Sequence, residues 1–226
     1  MMYLRRVVEG LPQTNPSIEL AAGHSQGALT IPHILAMDPA FRAGFISSGG
    51  GDLFLTVLHR GDIRPLADAV LGAAPGELDM FHPGVHALQT LAEVGDAANY
   101  APLVSSQHML ATGGLLDGCS PLEVVTVIGT GMGLSVANPL DYPVFGTAAL
   151  EAPTTTFPVS GNLSGARTGL TVQLNTGHFG SITNPTLGRS FADSFAAGGT
   201  PTINPTLPLQ TDMWIAPCPA RYDPLP

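Results

Sequence analysis

The sequence predicts an α/β fold in which a mostly parallel sheet is flanked by helices. Residues 18–22 form an apolar run that a tight glycine turn joins to a helix-competent run at 28–37. Two later apolar runs, 107–112 and 170–174, each end in a polar loop that contains glycine. Strands that alternate with helical stretches along the chain are typical of a parallel sheet.

The other elements follow in chain order. Residues 1–10 predict a helix that Gly10 and Pro12 end. Residues 43–48 predict a short buried strand, after which Gly49 to Gly51 let the chain leave the sheet. Ser120 as cap and Pro121 at the first helical position predict a helix over 122–128. We read 139–165 as a loop rich in Pro, Thr and Gly, 187–197 as the last helix, and 198–226 as a Pro-rich surface tail.

The segment 52–102 has a different character from the rest of the chain. Three apolar helical stretches, at 53–58, 66–71 and 85–91, are separated by Gly and Pro. They are either a helical cap inserted over a site or the ordinary crossover helices of a layered fold. With this segment included, we expect residues 1–226 to form a single domain.

Composition limits the class of protein. Apolar residues make up 44% of the 226, which is enough for a large core. The sequence contains no uninterrupted run of 18 apolar residues, so no transmembrane segment is predicted. The net charge is −9 and no basic stripe exists, so nucleic acid is not an expected partner. The low charged fraction resembles that of an exported, extracytoplasmic enzyme. Cys119 and Cys218 allow either one disulfide or two buried thiols.

The stretch Gly23-His24-Ser25-Gln26-Gly27 reads G-x-S-x-G between a predicted strand and a predicted helix. That context is the one a nucleophile elbow needs, because the sharp turn exposes the serine hydroxyl. The helix start offers backbone N–H groups to an oxyanion. The alternative is a glycine-rich turn with a bystander serine. His24 adjoins the serine and is better explained as a packing or hydrogen-bonding residue.

A serine nucleophile requires an imidazole base and a carboxylate that orients the imidazole. Asp117 follows the strand at 107–112, and His178 follows the strand at 170–174, both in loops that contain glycine. Either residue has a simpler interpretation, Asp117 as a turn or capping residue and His178 as a loop histidine. The alternative acids are Asp62 and Asp79 in the 52–102 segment, and Asp141 in the Pro-rich loop.

These motifs resemble the α/β-hydrolase superfamily, in particular bacterial serine esterases and lipases. Gly-His-Ser-Gln-Gly is similar to their elbow, residues 114–121 look like their acid loop, and residues 177–180 look like their histidine loop. The resemblance covers about residues 1–197. It implies that Ser25 is the nucleophile, His178 the general base and Asp117 the orienting acid. It also implies that the backbone N–H of Gln26 is one donor to the oxyanion.

The resemblance departs from the family pattern at the amino terminus. The family has strands ahead of the elbow, whereas here residues 1–17 carry one predicted helix. We therefore expect the carboxy-terminal portion of the fold, with the amino-terminal strands missing. The elbow strand would then have an exposed edge able to pair with another chain, and catalysis would be impaired.

We expect a serine hydrolase that cleaves small-molecule or lipid carboxylic esters. An apolar acyl part is expected because the 52–102 segment is rich in apolar side chains: Leu53, Phe54, Leu55, Met80 and Phe81. The alternatives are an acyltransferase or serine peptidase on the same three residues, or a catalytically silent fragment that binds lipid or a partner chain.

Two further motifs have simple explanations. His82 and His86 are four residues apart, but Pro83 and Gly84 lie between them and no H-E-x-x-H is present, so no metal site is expected. The glycines in 129–133 resemble a dinucleotide loop, but that motif needs its third glycine at position 134, which is Leu134, so they are better explained as the end of a helix. We therefore expect neither a metal nor a cofactor.

Overall fold

Six strands of the described residues form a parallel sheet, in the order β1-β2-β3-β7-β4-β5, at the centre of the computed structural model. The structure describes residues 2–138, 154–183, 185–205 and 218. The strands are β1 Leu20–His24, β2 Ala43–Ser47, β3 His108–Gly114, β4 Ser135–Ala137, β5 Thr154–Thr155, β6 Val159–Ser160, β7 Gly169–Leu174 and β8 Thr202–Ile203. The helices are α1 Met2–Glu9, α2 Ile31–Met37, α3 Leu53–His59, α4 Arg64–Leu71, α5 Pro83–Ala92, α6 Leu122–Gly131, α7 Gly180–Thr183 and α8 Thr186–Ala196.

Helices cover both faces of the sheet. Met109 and Leu110 follow each other on β3, so their side chains point to opposite faces. Met109 belongs to a buried cluster with residues of α2 and α6, whereas Leu110 belongs to one with Phe191 and Phe195 of α8. Because both faces are covered, β3 and β7 are buried along almost their whole length and are mostly apolar. This arrangement confirms the predicted fold class of a mostly parallel sheet with flanking helices.

Two parts of the sequence interpretation need correction. The helix expected at 28–37 is preceded by a 3-10 turn, Ser25–Thr30, and is α-helical only over Ile31–Met37. The loop expected at 139–165 contains β5 and β6 in its described part, and β4 was not expected. These strands are two or three residues long, and pairing with distant strands defines them more than any local pattern does.

The described residues of the tail take part in the fold. β8 pairs antiparallel with β6, and the side chain of Ile203 is fully buried. Residues 206–217 and 219–226 of the expected surface tail lie outside the described residues, as does Asp141.

The segment 52–102 contains α3, α4 and α5. Three buried side chains form a small separate cluster: Leu58 of α3, Leu78 of the connection between α4 and α5, and Val85 of α5. The fully buried carboxylate of Asp96 fixes the start of α3, because it accepts hydrogen bonds from the N–H groups of Asp52 and Leu53. Burial would raise the pKa of Asp96, but its hydrogen bonds outweigh burial and lower it. The carboxylate therefore stays charged and holds α3 in place.

Within the described part of the chain, β1 is an edge strand that pairs only with β2. A groove of about 440 Å³ runs along this edge between β1 and α1. None of the described helices has the length and hydropathy needed to span a bilayer.

Candidate active site

Ser25 lies at the sharp turn between β1 and the 3-10 helix, with a positive φ of 54°. A non-glycine residue in this region is strained by about 1–3 kcal/mol, which the surrounding structure must compensate. Gly23 permits the turn, since a Cβ there would lie 2.5 Å from the carbonyl oxygen of Gly27. The local structure is therefore the strained strand-to-helix turn that the G-x-S-x-G pattern predicts.

Asp117 follows β3 and has no solvent exposure. Its Oδ1 accepts hydrogen bonds from the backbone N–H groups of Cys119 and Ser120, at 2.8 and 2.9 Å. Its Oδ2 is 2.9 Å from Nδ1 of His178. Its Oδ1 also lies 3.0 Å from this nitrogen, so the two backbone donors orient the carboxylate with both oxygens facing the imidazole.

His178 follows β7, and only 4% of its surface is exposed. Its Nε2 lies 2.8 Å from Oγ of Ser25, while Nδ1 lies against Asp117. The three side chains come from the carboxyl ends of β1, β3 and β7, which are parallel and share one rim of the sheet. The structure therefore brings together the serine, imidazole and carboxylate that the sequence analysis selected.

A disulfide supports the acid loop. Cys119 and Cys218 are bonded, with their Cα atoms 5.2 Å apart, which resolves the two alternatives left by the sequence. The carbonyl of Cys119 also accepts a long hydrogen bond of 3.4 Å from Nη1 of Arg60. Cys119, whose N–H bonds to Asp117, is thus linked by the disulfide to Cys218 and by a hydrogen bond to Arg60, the residue after α3.

His24 packs against the imidazole of His178, with ring centroids 4.8 Å apart, and stacks on Phe179 at 5.2 Å. Its Nδ1 is 2.9 Å from Oγ of Ser47, which in turn contacts the hydroxyl of Ser181. Burial, followed by the neighbouring His178, lowers the pKa of His24. His24 is therefore neutral at pH 7, and it does not oppose a positive charge on His178.

A pocket of about 400 Å³ opens beside Ser25. Its apolar walls are formed by Leu29, Leu53, Val57 and Val124, and Gln26 also lines it. Arg60 is the one charged side chain among the described residues that line it. Arg60 also forms a bidentate pair with Asp62, at 3.0 and 2.7 Å, and this pairing raises its pKa.

The apolar residues expected to shape the substrate site lie in different places. Leu53 lines the pocket, Leu55 is buried in the core of the sheet, and Phe54 packs in the small cluster of α3 to α5. Met80 and Phe81 are exposed. Of these five side chains, only Leu53 reaches the pocket beside Ser25.

The alternative acids form other contacts. Asp62 pairs with Arg60, and Asp79 accepts the backbone N–H of Phe81 within its own turn. His82 accepts the N–H of Gly84 at the start of α5. Gly129 and Gly131 belong to the end of α6, in agreement with their interpretation as helix-ending glycines.

Potential metal ligands occur at the same place as the three site residues. Asp117, Cys119 and His178 offer ligand atoms that lie within 4.8 Å of one another. The sulfur of Cys119 is in a disulfide, however, and a metal needs the thiolate. Asp117 and His178 are also bonded to each other, so the donor set does not suit a metal while the disulfide is present.

The sequence analysis did not identify Arg60, Ser47 or Ser181 as part of the site. Arg60 directly follows a helix, and the two serines lie at a strand end and in a short helix. Nothing in the local sequence distinguishes them, because their proximity to Ser25 or His24 depends on how the strands and helices pack.

No protein-family model and no curated protein matches this sequence. Among solved structures, the chain is similar to the uncomplexed acylaminoacyl peptidase of Pyrococcus horikoshii, with 14% identity and a TM-score of 0.47 over 80% of this chain and 23% of that chain. It is also similar to acetyl xylan esterase 1 from Thermoanaerobacterium sp. JW/SL YS485, with 17% identity and a TM-score of 0.46 over 80% and 48% of the two chains. The chain thus covers less than half of the length of these structures.

Proposed function

We propose that the chain is a serine hydrolase that cleaves carboxylic esters through a seryl acyl-enzyme. The observation that carries the proposal is the hydrogen-bonded series from Oγ of Ser25 through the imidazole of His178 to the carboxylate of Asp117. The members are 153 and 61 residues apart along the chain, so chance local contacts do not explain their alignment.

In the first step, Oγ of Ser25 attacks the ester carbonyl carbon while Nε2 of His178 takes its proton. The carbonyl oxygen becomes an oxyanion, for which the N–H of Gln26 at the helix start is the proposed donor. The tetrahedral species collapses when the bond to the alcohol oxygen breaks and His178 returns the proton to that oxygen. The products are the free alcohol and an ester on Ser25.

In the second step, water replaces the alcohol. His178 takes a proton from the attacking water, and the carboxylic acid leaves as Oγ of Ser25 recovers its proton. Through both steps, the ionised carboxylate of Asp117 keeps the proton on Nδ1 and stabilises the imidazolium. The buried backbone bonds to Oδ1 hold that carboxylate in position.

The pocket favours an acyl group with an apolar part, because four aliphatic side chains form its walls. Transfer of the acyl group to an alcohol or cleavage of an amide would use the same three residues. Hydrolysis in the presence of added alcohol or hydroxylamine separates acyl transfer from hydrolysis, because an acyltransferase would produce the new ester or hydroxamate in preference to the acid.

The test is labelling by a fluorophosphonate probe, followed by hydrolysis of p-nitrophenyl esters. We expect the probe to modify Ser25, and the labelling rate to fall at least about 10³-fold in His178→Ala. The exposed His86 provides a matched control, and His86→Ala should label at the native rate. A folded native protein that neither labels nor cleaves esters would refute the proposal and favour the silent binding fragment.

A further inference from the structure

The pocket beside Ser25 combines aliphatic walls with a single charged group. Leu29, Leu53, Val57 and Val124 surround the space, and Arg60 is the only charged residue among its described lining. A purely alkyl acyl chain would leave that guanidinium in the pocket without a partner from the substrate. The Arg60 side chain is 23% exposed, so a bound alkyl chain would remove water from its remaining N–H groups without giving them a hydrogen bond, which is unfavourable.

Arg60 is held in a defined orientation. Its Nε and Nη2 each donate to the carboxylate of Asp62, and its Nη1 donates to the carbonyl of Cys119. These bonds occupy three of the five guanidinium N–H groups, so two remain to donate elsewhere. The bidentate partner also offsets the positive charge, which suits a neutral acceptor oxygen better than it suits a carboxylate.

The position of the pocket indicates which half of the ester it receives. The alcohol oxygen must lie near Nε2 of His178 to receive its proton. His178 does not line this pocket, whereas Ser25 and Gln26 do. The alcohol therefore leaves on the side of His178, and the acyl chain extends into the pocket toward Arg60.

We propose that Arg60 is a specificity-determining residue that donates a hydrogen bond to a carbonyl oxygen on the acyl chain, so that the preferred substrates are esters of oxo acids rather than of plain alkanoic acids. This inference rests on the proposed esterase function. It deepens that function because it names a polar feature that the aliphatic walls alone do not select.

The experiment compares p-nitrophenyl hexanoate with two analogues that carry a ketone at different positions in the distal half of the chain. The native protein should give a higher kcat/KM for at least one oxo ester, by about tenfold to a hundredfold, as expected for a hydrogen bond to a charged group. In Arg60→Met, the kcat/KM for the oxo ester divided by the kcat/KM for hexanoate should fall to near the ratio of the uncatalysed hydrolysis rates of the two esters. Because this readout is a ratio, a general loss of activity in the variant does not affect it.

Arg189→Met is the matched control, since Arg189 is exposed on α8 and should leave the ratio unchanged. If the native protein hydrolyses hexanoate but shows no preference for either oxo ester, the Arg60 proposal is overturned and the esterase proposal stands. An equal preference in native protein and Arg60→Met also overturns it. If no ester is cleaved and Ser25 does not label, both proposals fail.

Discussion

Replacement of Asp117 by Asn tests the proposed role of the carboxylate most directly. Oδ1 of Asp117 accepts two backbone hydrogen bonds and lies 3.0 Å from Nδ1 of His178, whereas the partner of Oδ2 is that same Nδ1, at 2.9 Å. The carbonyl oxygen of Asn will occupy the Oδ1 position, because an amide nitrogen there would face two N–H donors. The amide nitrogen then takes the Oδ2 position and donates to Nδ1 of His178.

That orientation reverses the tautomer of the imidazole. With Nδ1 as an acceptor, the proton of neutral His178 lies on Nε2, 2.8 Å from Oγ of Ser25, where a lone pair is needed. We expect kcat to fall about 10⁴-fold, the loss found when the orienting aspartate of a serine triad is replaced by asparagine. This equals roughly 5.4 kcal/mol of barrier at 1.36 kcal/mol per tenfold.

The stability of Asp117→Asn should change much less than its activity, because both backbone donors keep their acceptor. Asp117→Ala, in contrast, leaves both buried N–H groups unpaired, at about 1–3 kcal/mol each. The assay is steady-state hydrolysis of p-nitrophenyl acetate together with urea unfolding of both variants. If Asp117→Asn keeps activity within tenfold of the native protein, the carboxylate does not orient His178 as proposed.

Three further predictions concern the frame around the site. Cys218→Ser opens a disulfide of sequence separation 99, so the free energy of unfolding should fall by up to about 4.7 kcal/mol, measured in urea; no loss would mean that the disulfide does not constrain the unfolded chain. Gly23→Ala places a Cβ 2.5 Å from the carbonyl of Gly27 and should cost about 1–3 kcal/mol and most of the activity, whereas Gly27→Ala meets nothing within 4 Å and should be tolerated. Burial, with two nearby arginines, lowers the pKa of His108 below its usual 6.5. As the pH drops below about 6.5, His108 is therefore protonated more readily in the unfolded chain than in the folded one, and the free energy of unfolding should fall. His108→Gln should make thermal unfolding less dependent on pH over that range, and an unchanged slope would contradict this assignment.

The sequence alone was sufficient for the strand–turn–helix around Ser25 and for the positions of Asp117 and His178. Each of these depends on local chemistry: glycines that allow a tight turn, and apolar runs that end in polar loops. Because the carboxyl ends of parallel strands share one rim, the assignment of strands also implied that the three side chains would be near one another.

The short strands β4, β5, β6 and β8 could not be predicted in the same way. Each has only two or three residues, too few for a periodic pattern, and each forms because a distant strand offers a partner. The disulfide between Cys119 and Cys218 was equally open, since two cysteines in a sequence say nothing of the distance between them.

The sequence by itself determined which residue types stand at the candidate site, because a serine in a strained turn, an imidazole and a carboxylate are set by residue type and by their places after strands of the sheet. Only the tertiary structure decided the orientation of the site and its surroundings: the two backbone donors on Asp117, the neutral His24 beside His178, and Arg60 in the pocket. These depend on contacts between segments far apart in the chain, whose geometry results from packing of the whole domain and not from any local pattern.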